Sequence, residues 1–243
     1  MPINATKKVG ELAVEVPRAI PLFEGLGIDY CCGGNRSLEE ACLSAGVKTE
    51  QVINTLEDAM AAAALGESPK DWNVEPLSEL TSHIVNRHHS YVRTELARLG
   101  SLLEKVCSAH GQNHSELFTV QKFFNGLSQE MTMHMYKEEN ILFPYIDQME
   151  AAVNGWRPRP YPPFGTVRNP IQMMETEHES AAEALRGMRK ASGNFSVPAD
   201  GCISFQALYK GLIDFEKDLH LHIHLENNIL FPRASAMEAG VSN

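Results

Sequence analysis

The phrase His134-Met-Tyr-Lys-Glu138-Glu-Asn-Ile-Leu-Phe-Pro144 returns near the C-terminus as His222-Ile-His-Leu-Glu226-Asn-Asn-Ile-Leu-Phe-Pro232. In each copy a histidine and a glutamate stand four apart, which on an α-helix puts both side chains on one face, one turn from each other. An imidazole and a carboxylate at that spacing reach one metal ion or two adjacent ones. A single His-x-x-x-Glu is ordinarily an exposed polar contact. Duplication with the same apolar tail argues for something more, and the rows around each copy say which way it faces.

From Pro76 onward four long segments carry helical periodicity between turn-rich breaks, the pattern of an all-α helical bundle. In the second, opened by Asn113 with Glu116 three residues on, Leu117, Val120, Phe124, Leu127, Met131, His134, Glu138, Ile141 and Tyr145 alternate at three and four. The fourth repeats the pattern with Phe205, Leu208, Leu212, Phe215, Leu219, His222, Glu226 and Ile229. His220 and His224, two residues either side of His222, point roughly 200° away and are assigned to the outer face. In the first segment His89 shares its row with Val92, Leu96, Leu99, Leu103 and Val106, whereas His88 goes with Tyr91, Glu95 and Arg98. In the third, an Asn169 cap and an N1 proline at Pro170 open a row of Ile171, Met174, His178, Ala181, Leu185 and Met188.

Four inward histidines and two inward glutamates require cations. A buried carboxylate costs more than the ~2–7 kcal/mol of an unpaired neutral polar group, and two facing each other repel. His134 follows His89 by 45 residues and His222 follows His178 by 44, so the bundle reads as two tandem helix pairs about a pseudo-two-fold axis. Each of two metals can then take two imidazoles, with both glutamates bridging. Imidazole and carboxylate suit iron, manganese or zinc, and the ligand count leaves open positions for a small ligand. Glu130 and Glu177 are either outer acceptors for ligand imidazoles, or proton carriers, or solvated surface groups. Pro144 and Pro232 are expected to kink or end their helices. The proline-rich stretch from Gly155 to Gly165 reads as an extended crossing loop over one bundle end.

The first 65 residues read as a small helical domain, joined by a linker over 66–76 to the bundle over 77–243. Ser37 and Glu40 make a capping box for a helix through about Ala45, and Thr49 starts another to about Ala64. Before them, Gly27-Ile-Asp-Tyr-Cys31-Cys32-Gly33-Gly34 is too rich in glycine for helix interior. Cys31 and Cys32 could be soft ligands, redox thiols, an intersubunit bridge or small residues filling a turn, and their place beside a helix start would favour thiolate. Cys42, Cys107 and Cys202 are read as packing residues.

A net charge of −10 argues against a nucleic-acid backbone or an anionic membrane as partner. No export signal and no run of about 18 apolar residues is visible, so the cytoplasm and reduced thiols are expected.

From about Val9 to Arg233, the order of Gly-Ile-Asp-Tyr-Cys-Cys-Gly-Gly, an inward His89, His-x-x-x-Glu-Glu-x-Ile-Leu-Phe-Pro, Glu-x-Glu-His178 and His-x-x-x-Glu-Asn-Asn-x-Leu-Phe-Pro-Arg resembles the iron–sulfur cluster repair di-iron family. Its bacterial members join a small cysteine-containing domain to a hemerythrin-like up-and-down four-helix bundle. The resemblance implies two non-haem iron ions held by His89, His134, His178 and His222, bridged by Glu138, Glu226 and an oxo or hydroxo group. It implies a cytoplasmic protein, often a homodimer, that restores damaged or apo iron–sulfur proteins, with binding and reduction of nitric oxide and an electron donor also in view. In that setting Cys31 and Cys32 would pass iron, a nitrosyl or electrons. The alternatives are a hemerythrin-like oxygen or nitric oxide carrier or sensor, and a structural bundle with an incidental zinc. The proline-rich loop departs from the family pattern.

Overall fold

The computed structural model describes residues 3–63, 70–155, 158 and 160–240, the side chains of 58–63 excepted. Residues 64–69, among them the first four of the linker, and residues 156, 157 and 159 of the proline-rich loop lie outside the described residues.

Four short helices come first: α1 (Val9–Glu15), α2 (Ile20–Leu26), α3 (Leu38–Ala45) and α4 (Thr49–Ala63). The Ser37–Glu40 capping box opens α3, with Glu40 N–H donating to Ser37 Oγ at 3.2 Å and Ser37 N–H to Glu40 Oε2 at 2.9 Å. Two of the four orphan amides at a helix start are thereby satisfied.

Four long helices follow. Helix α5 joins Leu77–His83, Ile84–His89 and Ser90–His110; α6 joins Glu116–Lys137, Glu138–Leu142 and Phe143–Val153. Helix α7 spans Arg168–Ala191, and α8 joins Ile203–Leu225, Glu226–Leu230 and Phe231–Gly240. Helix α6 packs on α5 and α7, and α5 on α8. The predicted rows point inward, and Phe124, Phe205 and Phe215 are buried between the helices, each contributing ~1.5–3 kcal/mol.

The middle segments Ile84–His89, Glu138–Leu142 and Glu226–Leu230 are wider, π-helical turns. Pro144 and Pro232 therefore follow a wide turn and the helix runs on beyond each, so of the two expected outcomes, a kink or an end, the end does not occur. A π turn adds a residue to the repeat, so the buried row passes from Glu138 to Leu142 and Tyr145, and Ile141 is 46% exposed instead of inward.

Two other expectations about helix starts fail. Helix α6 begins at Glu116 after Ser115, not at Asn113. Helix α7 begins before Asn169, whose side-chain amide donates instead to Phe164 O at 2.8 Å. Carboxylates from distant helices supply caps that local sequence does not show. Glu150 on α6 accepts from Leu77 N–H (2.6 Å) and Ser78 N–H (3.0 Å) at the start of α5, and Glu238 on α8 accepts from Val167 N–H (3.0 Å) ahead of α7.

The small helices dock on α8, and their apolar core is continuous with that of the bundle. The Cys31–Cys32 loop folds back on α1, Gly10 N–H donating to Gly34 O at 2.9 Å, and Asn228 on α8 donates to Tyr30 O at 3.2 Å. A Cβ on Gly34 would stand 2.8 Å from Tyr30 O, 3.0 Å from Asn228 Oδ1 and 3.2 Å from Gly10 Cα. Gly34→Ala is therefore expected to push the loop off α8 and cost ~1–3 kcal/mol. Urea unfolding measures this, and an unshifted midpoint would show that the loop is not clamped there.

This docking corrects the assignment of His220 and His224 to an outer face. They do point away from the seam, but the small helices cover them: His220 Nδ1 pairs with Glu24 Oε1 at 2.9 Å, and buried His224 lies 5.4 Å from the Tyr30 ring. Burial lowers the His224 pKa to about 4.

Candidate metal centre

The three wide turns start or end at His89, Glu138 and Glu226, and the inward rows bring six side chains to one place. His89, Glu138, His222 and Glu226 form one group of potential ligands, and His134, Glu138, His178 and Glu226 a second; within each, one atom per residue lies within 4.8 Å of the others. The imidazole pairs cross between the tandem halves: His89 Nε2 is 3.1 Å from His222 Nε2, and His134 Nε2 is 3.1 Å from His178 Nε2.

Between the pairs stand the glutamates. Glu138 Oε2 is 3.3 Å from both His89 Nε2 and His134 Nε2. Glu226 turns Oε1 to His222 Nε2 at 2.9 Å and Oε2 to His178 Nε2 at 3.1 Å. Each carboxylate thus faces both imidazole pairs.

All six side chains are buried. Glu138 Oε1 and Oε2 and Glu226 Oε2 have no hydrogen bond of acceptable geometry among the described residues. Burial and the neighbouring Glu226 push the Glu138 carboxyl pKa up, yet His134 and His89 outweigh them and hold it below its ordinary value. Glu226 is likewise held well below by His222 and His178, against burial. Without metal, protons on the histidines take the balancing role: burial lowers His89 and His134, but the two glutamates bring them up to about 9 and about 10. Two buried anions with orphaned oxygens, ringed by imidazole nitrogens, fit a pair of divalent cations.

The far side of three of the four inward imidazole rings is held by a residue next in sequence to another member of the cluster. His89 Nδ1 meets Glu139 Oε1 at 2.6 Å, His134 Nδ1 meets Glu177 Oε2 at 2.9 Å, and His178 Nδ1 meets Asn227 Oδ1 at 2.8 Å. Such contacts fix the ring tautomer so that Nε2 is free for a metal. Glu177 is thus an outer acceptor, while Glu130 is exposed and takes a bond from Ser180 instead. Glu139 and Asn227 escaped the sequence reading, although they occupy the same position in the repeated phrase, one residue past the inward glutamate. His88, on the polar row of Tyr91, Glu95 and Arg98, is nonetheless buried, with Nδ1 3.1 Å from Asp218 Oδ2.

Cys32 lies against the centre, its Sγ 3.6 Å from the carbonyl oxygen of His178. Cys31 is buried behind it, 3.5 Å from Asp29 Oδ1. The neighbouring Cys32 and burial push its thiol well above the ordinary range, so Cys31 is not the thiolate that a place beside a helix start would favour. The thiol with a lowered pKa is Cys202, predicted to be a packing residue but exposed at the start of α8. The Phe205 amide and the His110 imidazole, 3.1 Å from Sγ, bring it down to about 7. Iodoacetamide should therefore alkylate Cys202 in the native protein with a half-maximal rate near that pH, moved upward by His110→Ala. Cys42 and Cys107, raised by burial, should react only on unfolding. A Cys202 rate still rising through pH 9 would contradict the assignment.

Comparison with known proteins matches this architecture. Residues 5–60 fit the ScdA_N family model, a domain of unknown function, and residues 80–234 fit the hemerythrin HHE cation-binding domain. Iron–sulfur cluster repair protein YtfE from Citrobacter koseri is 37% identical over 230 residues, covering 95% of this chain and 97% of that protein. The proteins of the same name from Enterobacter sp. and an Escherichia coli strain are also 37% identical over the same coverage. No helix among the described residues is long and apolar enough to cross a membrane. With a hemerythrin-like cation-binding bundle, a small cysteine-bearing helical domain and near full-length similarity to these proteins, the chain belongs to the iron–sulfur cluster repair protein family.

Proposed function

We propose that this chain holds two iron ions and serves the repair of iron–sulfur clusters damaged by nitrosative and oxidative stress, the role that the names of its relatives give for cluster repair. The observation that carries the reading is the pair of buried carboxylates with orphaned oxygens, each facing two imidazole pairs. The site residues in this reading are His89, His134, His178 and His222 as terminal ligands and Glu138 and Glu226 as bridges. A set without thiolate suits ferrous iron that can be given up. When bound, the iron supplies open positions for a diatomic such as nitric oxide or oxygen.

The chain's own residues prepare that chemistry. Glu139, Glu177 and Asn227 orient the imidazoles. The rings of Phe143 and Phe231 stack on His89 and His178 at 5.8 and 6.1 Å and exclude water from one side. Cys32, against the His178 carbonyl, and Cys31 behind it pass iron, a nitrosyl or an electron between the centre and a damaged or apo iron–sulfur protein. An electron donor and a second copy of the chain are the further partners, the cytoplasm is the compartment, and residues 1–65 and 77–243 are the two working units.

The test is anaerobic mixing of the ferrous protein with a cluster-dependent hydratase inactivated by nitric oxide. Activity should return with the intact protein and fail with Cys31→Ser/Cys32→Ser, whose iron content stays the same. Return unaffected by the substitutions would remove the thiols from the reading. No return, with a stable nitrosyl on added nitric oxide, would favour a carrier or sensor.

A further inference from the structure

The pseudo-two-fold symmetry of the centre is broken at one atom. Among the four ligand histidines, His89, His134 and His178 each have Nδ1 held by an oxygen. His222 Nδ1 has no hydrogen-bond partner among the described residues, and the side chain is fully buried. The residue before His178 is Glu177, which serves His134. The residue before His89 is His88, which occupies the equivalent place beside His222.

His88 does not provide what Glu177 provides. Its ring lies nearly parallel to that of His222, 14° between planes and 5.8 Å between centroids. Its Nδ1 is engaged by Asp218, and its Nε2 is a second buried nitrogen without a partner among the described residues. A metal-bound imidazole whose Nδ1–H meets no acceptor is less basic and less firmly oriented than one held by a carboxylate or an amide. Loss of such a partner typically weakens metal binding ~10–100-fold.

We propose that the two metal positions are unequal: the position between His89 and His222 is the weaker and empties first, and His88 in place of an oxygen acceptor makes it so. The inference rests on the two-metal reading above and adds which metal leaves. Beyond His88, the His83 ring follows at 5.5 Å and Trp72 at 4.6 Å from His83, reaching a cavity of about 770 Å³ between the small helices and the bundle. The other position keeps two anchored imidazoles and carries the Cys32 contact at His178.

The test loads the full chain with ferrous iron anaerobically, challenges it with a chelator, and follows iron per chain over time. Crystals of the half-depleted protein are then examined by anomalous scattering. The first iron should leave ~10–100-fold faster than the second, and the remaining anomalous peak should lie between His134 and His178. His88→Gln, which offers His222 an amide oxygen as Asn227 does for His178, should slow the first phase by ~10-fold or more. Asn227→Ala should speed the second phase until the two merge. Release of both ions at one rate from the unaltered protein, or a remaining peak between His89 and His222, overturns the inference. Uptake of only one iron at saturation overturns the two-metal reading beneath it, so the two failures are distinguishable.

Discussion

Saturation with ferrous iron is expected to raise the melting temperature of this protein by roughly 8–16 °C, the consequence of ~4.1 kcal/mol of linkage at a thousandfold excess over Kd in a chain of this size. The reason is local. Glu138 and Glu226 are buried with orphaned oxygens, and in the metal-free fold only protons on the surrounding histidines offset their charge. Those protons must leave when metal enters, so apparent affinity should fall as pH drops below the values of about 9 and about 10 held by His89 and His134. Scanning calorimetry of metal-free and loaded protein measures the shift. Coincident transitions would mean that the six residues form a satisfied polar core needing no cation.

The second large effect belongs to the glutamates. Each carboxylate faces both imidazole pairs, so Glu226→Ala or Glu138→Ala is expected to remove a ligand from both proposed positions at once. Metal affinity should fall by more than the ~10–100-fold typical of losing an outer partner, leaving fewer than one tightly held ion per chain. Glu177→Ala touches only His134 and should stay within that range. Metal analysis after gel filtration distinguishes the two classes of variant, and retention of two ions by Glu226→Ala would remove it as a bridge. Removing one carboxylate also relieves the repulsion between the pair, so the metal-free variant should stay folded, which circular dichroism verifies.

The centre was legible because burial of a polar residue is costly enough to leave a mark on periodicity. His89 and His178 belong to no motif, yet both fall on strict apolar rows, and both are fully buried. The same wheel misplaced His88, His220 and His224 because it knows one helix at a time. What covers His224 is Tyr30, 194 positions earlier in the chain, and no local pattern announces that contact. The wide turns were invisible for a related reason. A π turn is accepted where tertiary contacts reward it, so the proline closing each repeated phrase points to a kink or an end with no sign of the wide turn before it, and the register slip at Ile141 leaves no mark in the sequence.

The outer partners were half legible. Glu177, next to His178, could be named but not separated from Glu130, because reach across two helices decides between them. Glu139 and Asn227 could have been found by asking what each copy of the repeated phrase keeps polar directly after its inward glutamate. Cys202 shows the opposite failure: outside any glycine-rich turn it reads as a packing residue, yet it stands exposed at the start of α8.

The most direct measurement is Mössbauer spectroscopy of the protein loaded with isotopically enriched iron, set beside His134→Ala and Glu226→Ala. Two ions bridged by shared carboxylates should give an exchange-coupled pair with two irons per chain, and that signal should vanish in both variants. A single uncoupled iron per chain, or a coupled signal that survives Glu226→Ala, would contradict a centre built on these six residues.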